Sequence, residues 1–588
     1  NSHSAIEINS GSLNLNNVNI SSARHAVRID GGVTATINGG TYRVDEYNVK
    51  STRYAVNVSG NATVTILDGT FVGPYGDNTS DSGAAVNVQA GASVTIEDGN
   101  FSGGKRNTLS AKGSLVVTGG TYTRHYNDDT TPEAFLAEGY EVAQIDENIY
   151  EVRIASFEKF YTAEGGETTQ DQAAYSLMFN VTDYANKELS VKIGSKKPAQ
   201  NSNINLVTPS EVQFEDLTFN VTSVANSAFN GTSFKKVTIS EGVETIGNKA
   251  LFFMSKLTEL VLPKTLVSVG EQCIGAYNPN SVPLKSIVCY AEEAPSAFEP
   301  TSNASFQTCV EQQTILIVPN AADYTVYSNA NGWKFTNILG IGSTKEIAGK
   351  DDKYTLLATV TSMNPMECSI KIGNTKPASN SKAELVIPEE VTFFEGYVFA
   401  VTSIPNNAFS TCYNFTGNLE IPATVKTIGN SAFLQAYYNT LNVGKLTLNE
   451  GLETILNSAF TLSYFNNENL VIPTTVTTIG SHAFNATNMS DTLTVQKNIP
   501  GGFSGFAGSL FTMVVVEEGV TSIVDSSSKG VFSKMSKLET VILPSTLEEI
   551  GVAAFSEDHA ITTIITSATA QVPAIENTNA FDASVKTN

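Results

Sequence analysis

Residues 471–484 read Val471-Ile-Pro-Thr-Thr-Val-Thr-Thr-Ile-Gly-Ser-His-Ala-Phe484: an apolar run closed by proline, then Val-x-x-Ile-Gly, then Ala-Phe. The line returns as Leu419-Glu-Ile-Pro422 with Ile428-Gly-Asn-Ser-Ala-Phe433, and as Ile542-Leu-Pro544 with Ile550-Gly-Val-Ala-Ala-Phe555. A shorter form is Leu260-Val-Leu-Pro263 with Val269-Gly270. The Phe, or its substitute, steps through Phe229, Leu251, Ile274 and Phe298. It then continues through Phe409, Phe433, Phe460, Phe484, Phe506, Phe532, Phe555 and Phe581, every 22 to 27 residues within each run. That period belongs to stacked coils, because one such unit cannot bury its apolar face without a neighbour. An extended surface shifts the expectation from reaction chemistry toward binding.

Residues 1 to about 125 carry a different repeat. Its lines are Val33-Thr-Ala-Thr-Ile-Asn-Gly-Gly-Thr-Tyr42, Ala62 to Phe71, Ala92 to Phe101 and Ser114 to Tyr122. Each is an alternating β-branched strand, a Gly-containing turn and an aromatic, so one face is buried and glycine supplies the turn. A second strand precedes most copies, as in Ala26-Val-Arg-Ile29, Ala55-Val-Asn-Val58 and Ala85-Val-Asn-Val88. A β-sandwich competes, since hairpin turns also use Asn-Gly and Asp-Gly. The near-constant strand–turn content favours a parallel β-helix. Thr131-Pro-Glu-Ala-Phe135 through Gly139 predicts a short helix with Thr131 as N-cap, placed to cover the last coil. Residues 156–172, with Gly165-Gly166, read as a linker.

The rest of the chain is duplicated. Residues 191–212 (VKIGSKKPAQNSNINLVTPSEV) match 370–391 (IKIGNTKPASNSKAELVIPEEV), each leading into the Pro…Ile-Gly…Ala-Phe coils. Three domains are therefore expected: 1–155, 156–342 and 343–588. The first duplicate ends with Ile315-Leu-Ile-Val-Pro319, Tyr324, Tyr327 and the lone tryptophan, Trp333, which is expected to close its final coil.

With those residues quoted, the coils resemble the BspA-like, or Treponema pallidum type, leucine-rich repeats. Leu257-Thr-Glu-Leu-Val-Leu-Pro263 through Ile274 and Leu538-Glu-Thr-Val-Ile-Leu-Pro544 through Phe555 follow that pattern closely. The resemblance spans about residues 175–342 and 354–581. Residues 1–125 resemble, more loosely, pectin-lyase-like β-helices through their Val-Thr-Ile-x-x-Gly-x-Phe line. The fold class expected is a mainly β repeat protein: an N-terminal right-handed parallel β-helix followed by two leucine-rich-repeat solenoid blocks. The first resemblance implies a bacterial cell-surface or secreted adhesin that binds host or extracellular-matrix protein or glycan. The second keeps open a polysaccharide-binding or polysaccharide-degrading module in the N-terminal segment, with the repeats as scaffold.

The formal net charge of −23 repels phosphate backbones, which argues against a nucleic-acid partner. No run of about 18 apolar residues is present to span a membrane. The chain opens at Asn1 directly in strand-like text, as a mature or truncated chain would, and a monomer is expected. Cys273, Cys289, Cys309, Cys368 and Cys412 are too irregularly spaced for a zinc site or a disulfide framework, and free thiols are expected. Pairing of Cys289 with Cys309 is the alternative.

Five scattered histidines and the absence of metal, acyl-transfer and phosphate-binding motifs predict no catalytic residue, no metal and no cofactor. Asp68 and Asp98, at equivalent turns of successive coils, are the strongest enzymatic candidates. Asn38 and Thr118 in the neighbouring copies favour plain turn chemistry instead. Asp77 to Asp81 on an insertion reads as a solvated loop rather than a calcium site, and Gly501, Gly502, Phe503, Gly505 and Phe506 as a repeat turn. Aromatic-rich insertions are the better candidates for ligand contact, because insertions between coils collect on loops. They contribute Tyr437, Tyr438 and Asn439 from one coil and Tyr464, Phe465 and Asn466 from the next; Tyr with Asn is typical of adaptable recognition surfaces.

Overall fold

The computed structural model describes residues 3–45, 52–74, 83–103, 108–123, 132–276, 278–280, 282–298, 304–379, 381–438, 443–487, 491–498, 504–524, 531–566, 574–575 and 580–581. It is almost entirely β and divides into two compact units. One comprises Asn1–Leu284 with Ser296–Val310, the other Lys285–Pro295 with Glu311–Asn588.

In the first unit the early strands form two parallel ladders. One runs Ile6–Ile8, His25–Ile29, Arg53–Val58, Gly83–Val88 and Leu109–Ala111. The other starts at Ser12–Ser22 and runs through Thr34–Val44, Thr63–Val72, Ser93–Ile96 and Ser114–Val117. Register puts like on like, so Ile37 faces Ile66, Ile66 faces Ile96 and Ile96 faces Val117. The aromatic that ends each line is buried, and the rings of Tyr42, Phe71, Phe101 and Tyr122 stack at 5.0, 4.9 and 5.0 Å. That is the spacing of neighbouring strands. Asn87 Nδ2 donates to Asn57 Oδ1 at 2.7 Å, pairing two buried amides one coil apart.

The predicted cap is present but built differently. Pro132–Phe135 is a single 3-10 turn rather than an α-helix; Thr131 lies outside the described residues. The hairpin Tyr140–Asp146/Ile149–Ile154 then covers the open strands, pairing antiparallel with Thr121–Thr123. The segment read as a linker is also structured. Ser156–Tyr161 pairs antiparallel with Tyr175–Asp183, and the alternation buries Phe157 and Tyr161 on one face.

Beyond it, two parallel ladders carry the repeat coils of this unit. Asn205–Val207, Lys236–Thr238 and Glu259–Leu262 form one. Leu217–Val224, Thr245–Ile246, Ser268–Val269 and Ser296–Ala297 form the other. Phe298 does not join the run of buried aromatics as the 24-residue step suggested. Ser296–Ala297 takes the Val-x-x-Ile place in register with Ser268–Val269, leaving Phe298 48% exposed, while buried Phe306 bridges Ile274.

The second unit repeats this lead-in at Thr344–Ala348, Thr355–Met363 and Met366–Ile372, an antiparallel trio followed by parallel coils. Its core holds the repeat phenylalanines, Phe409 to Phe555, with successive rings 5.1–5.8 Å apart. Trp333 is fully buried in this unit, its indole N–H donating to the Pro295 carbonyl at 2.7 Å with its ring edge-on to Tyr327.

Two devices tie coil to coil. Asn406, Asn430 and Asn457 each accept, through Oδ1, the backbone N–H at the equivalent place of the next coil, at 2.7, 3.1 and 2.8 Å. The motif glycine is required by this closeness. A Cβ on Gly429 would sit 2.5 Å from the backbone of Asn406 and Pro405. The second device joins Glu-Gly on one coil to Pro-x-Thr on the next. The Glu450 carboxylate accepts the N–H groups of Thr474 and Thr475 and the Thr474 hydroxyl. Thr475 in turn accepts from Gly451 N at 2.9 Å and donates to Leu452 O at 2.7 Å. Glu518 with Ser545 and Thr546 repeats the clamp, as does Glu241 with Lys264 and Thr265 in the first unit.

Candidate binding face

After each Ala-Phe the chain reverses through a left-handed residue: Thr411 (φ 58°), Gln435 (φ 55°) and Leu462 (φ 57°) in three successive coils. A buried small residue follows, respectively Cys412, Ala436 and Ser463. Next come the aromatics, and the turn splits them into two sets. Phe415, Tyr437 and Phe465 point inward; Tyr437 stacks on Phe415 at 6.0 Å and meets Phe465 at 4.9 Å. At 1% and 3% exposure, Tyr437 and Phe465 are core residues and not the ligand contacts their sequence suggested. A two-aromatic turn must send one ring each way, and adjacency alone does not say which.

The outward set is Tyr413, Tyr438 and Tyr464. Tyr413 and Tyr438 are 45% and 47% exposed, and Tyr464 is half-buried. Tyr438 lies offset on Tyr464 at 5.4 Å and 30°, and meets Tyr413 edge-on at 6.3 Å and 75°. The Tyr413 hydroxyl donates to Gln435 Oε1 at 3.4 Å. Burial, with the neighbouring Tyr438 phenol, raises the Tyr464 phenol above its usual range. Asn466 is exposed beside them, its backbone N–H donating to Gly444 O. Buried Asn467 holds the loop by giving Nδ2 to Leu446 O and taking Leu446 N–H on Oδ1. Asn439 lies outside the described residues. Tyr413 escaped the sequence reading; it stands four residues after the repeat Phe, as does Tyr464, but so does the buried Tyr437, so the offset alone does not mark an outward ring.

Asp68 and Asp98 each turn a carboxylate oxygen onto the N–H of the following glycine, Gly69 or Gly99, at 2.7 Å, the hydrogen bond of a local turn. Asp77 to Asp81 and Gly501, Gly502 and Phe503 lie outside the described residues, while Phe506 is a buried member of the phenylalanine stack. All five cysteines are free thiols, and burial pushes those of Cys273 and Cys368 up to about 12. Among the described residues no group of three His, Cys, Asp or Glu side chains could hold a metal ion. Among them, too, no helix is long and apolar enough to cross a membrane.

A model of the BspA type leucine rich repeat region matches in six copies over residues 222–348, 399–501 and 466–587, more than half of the chain. The chain belongs to the BspA-type leucine-rich-repeat family. No curated protein matches this BspA-type chain. Among solved structures it is similar to a leucine-rich repeat protein from Bacteroides ovatus, with 14% identity over 68% of this chain and 88% of that one, at a TM-score of 0.24. A leucine rich cell surface protein from Faecalibacterium prausnitzii is 15% identical over 71% and 86%, at 0.19. The pneumococcal vaccine antigen PcpA is 14% identical over 70% and 100%, at 0.18.

Proposed function

We propose that this BspA-type chain is an extracellular or cell-surface bacterial protein without catalytic activity, which binds a host or matrix macromolecule through Tyr413, Tyr438 and Tyr464. The observation that carries this reading is the row of outward tyrosines on three successive coils, held by a turn that buries their neighbours. Tyrosine offers large contact area and a polar tip at low ordering cost, as recognition surfaces require. Surface location and adhesion are what the family resemblance implies. The full chain, assayed against immobilised matrix proteins, mucins and polysaccharides, is expected to bind at least one. Combined Tyr413→Ala and Tyr438→Ala substitution is expected to weaken that binding without shifting the melting temperature. Uniform absence of binding would sink the proposal.

We also propose that residues 1–155 form a right-handed parallel β-helix related to the pectin-lyase type, and that 156–342 and 343–588 are two leucine-rich-repeat blocks. The parallel ladders, the stacked rings and the Asn57–Asn87 pair support the first part. The duplicated antiparallel lead-ins support the second. A crystal structure of the full chain is expected to show right-handed coils over residues 1–155, and left-handed coils there would overturn this.

A further inference from the structure

The tyrosine row sits in chemically unusual surroundings for a chain carrying 35 basic and 58 acidic residues. Its three segments, 405–419, 427–444 and 454–467, contain no Asp, Glu, Lys, Arg or His. What surrounds the rings is hydroxyl and amide: Ser410, Thr411, Asn414, Gln435, Thr461 and Asn466 are all exposed or half-buried. We infer that the ligand of this face is a neutral polysaccharide, bound against the open ring surface of Tyr413 and Tyr438 and hydrogen-bonded by the amides beside them. This rests on the reading of Tyr413, Tyr438 and Tyr464 as the binding face.

Three observations select that class. Polyanions are disfavoured by the chain's net charge of −23, and the cation near this face, Lys376, comes from a different segment, next to the Pro377 carbonyl that accepts the Asn414 amide. Within the three segments themselves a partner recognised through charge finds no complementary group. A neutral sugar presents what the face matches: apolar C–H surfaces for rings, and hydroxyls that both donate and accept for amides and phenols. Geometry adds a seat. Tyr413 stands at 75° to Tyr438, so the two rings make a corner, and Tyr464 extends it by one coil. A pyranose in an extended chain advances by nearly the same distance as one coil, so consecutive sugars can meet consecutive tyrosines.

Retardation of the full chain in native gels carrying galactomannan, hydroxyethylcellulose or mixed-linkage glucan tests this, with polygalacturonate as the anionic counterpart. The expected result is retardation by at least one neutral polymer, unchanged by added salt, and none by polygalacturonate. Tyr438→Ala is expected to weaken it about tenfold, the worth of one aromatic contact, whereas Tyr438→Phe keeps most of it. Equal retardation of the Ala variant would overturn the site and its ligand together. Binding of a matrix protein that Tyr438→Ala abolishes, with no neutral polymer bound, would overturn the ligand class and leave the binding face standing. Retardation by polygalacturonate as strong as by the neutral polymers, or by no polymer at all, would likewise overturn the ligand class.

Discussion

A glycine and a histidine show how closely the coils constrain single residues. Gly429 needs no left-handed backbone; it is needed because the preceding coil leaves no room for a Cβ. Gly429→Ala is therefore expected to destabilise by about 1–3 kcal/mol, the range for overpacking, read as a lower urea midpoint. His25 is buried in the first unit, its Nδ1 accepting the Tyr54 N–H at 3.1 Å and its ring lying against that of Tyr54. Burial first, then the charge of Arg24, lowers its pKa to about 4. The unfolded chain, with a pKa of about 6.5, takes up a proton between these values that the folded chain refuses. Stability is expected to fall as pH drops through that window, by up to about 3 kcal/mol. In denaturant titrations from pH 7 to pH 4, His25→Phe is expected to flatten the slope although it lowers the starting stability. An unchanged slope would show that other groups govern the acid sensitivity.

The coil is held by hydrogen bonds that a reading of hydrophobic period does not reveal. Thr475 serves two backbone groups of the preceding coil, the N–H of Gly451 and the carbonyl of Leu452. Thr475→Val keeps the shape and removes both bonds, with an expected cost of about 1–3 kcal/mol; Thr475→Ser is expected to recover most of it in the same melting experiment. The carboxylate half of the clamp adds a second acid dependence. Backbone donors of the following coil hold Glu450 and Glu518 below the usual carboxylate range. Their contribution is fully present above that range and is lost as pH falls from it through their lowered values. Both clamp motifs, Glu-Gly and Pro-x-Thr, stood in the sequence, but a partnership between residues 22 to 27 positions apart is visible only once the coils are stacked.

Across the whole molecule, legibility followed period. Val-x-x-Ile-Gly-x-x-Ala-Phe was readable because each residue type has one role: β-branched residues pair, glycine admits a close backbone, phenylalanine stacks. Where two readings fit one string, the period misled. Ser296-Ala-Phe298 resembles an Ala-Phe line but is paired as a Val-x-x-Ile line. Ser156–Tyr161 hid beside a Gly-Gly turn, although Phe157 and Tyr161 alternate correctly for a strand. Half of the candidate face was legible for a similar reason: aromatic insertions announce a surface loop, yet adjacency cannot sort Tyr438 from Tyr437. Two compact units, each with its own buried cluster, also predict unfolding that is not all-or-none. Calorimetry is expected to give a van't Hoff enthalpy well below the calorimetric one, and equality of the two would contradict this. The Glu-Gly/Pro-x-Thr clamp has a consequence for descent. Because its acceptor and donors lie on neighbouring coils, a recombination breakpoint between Glu450 and Thr475 orphans both halves at once. Copy number in such an array is therefore expected to change at unclamped seams, so that inherited gains and losses come as clamped pairs of coils rather than as single ones.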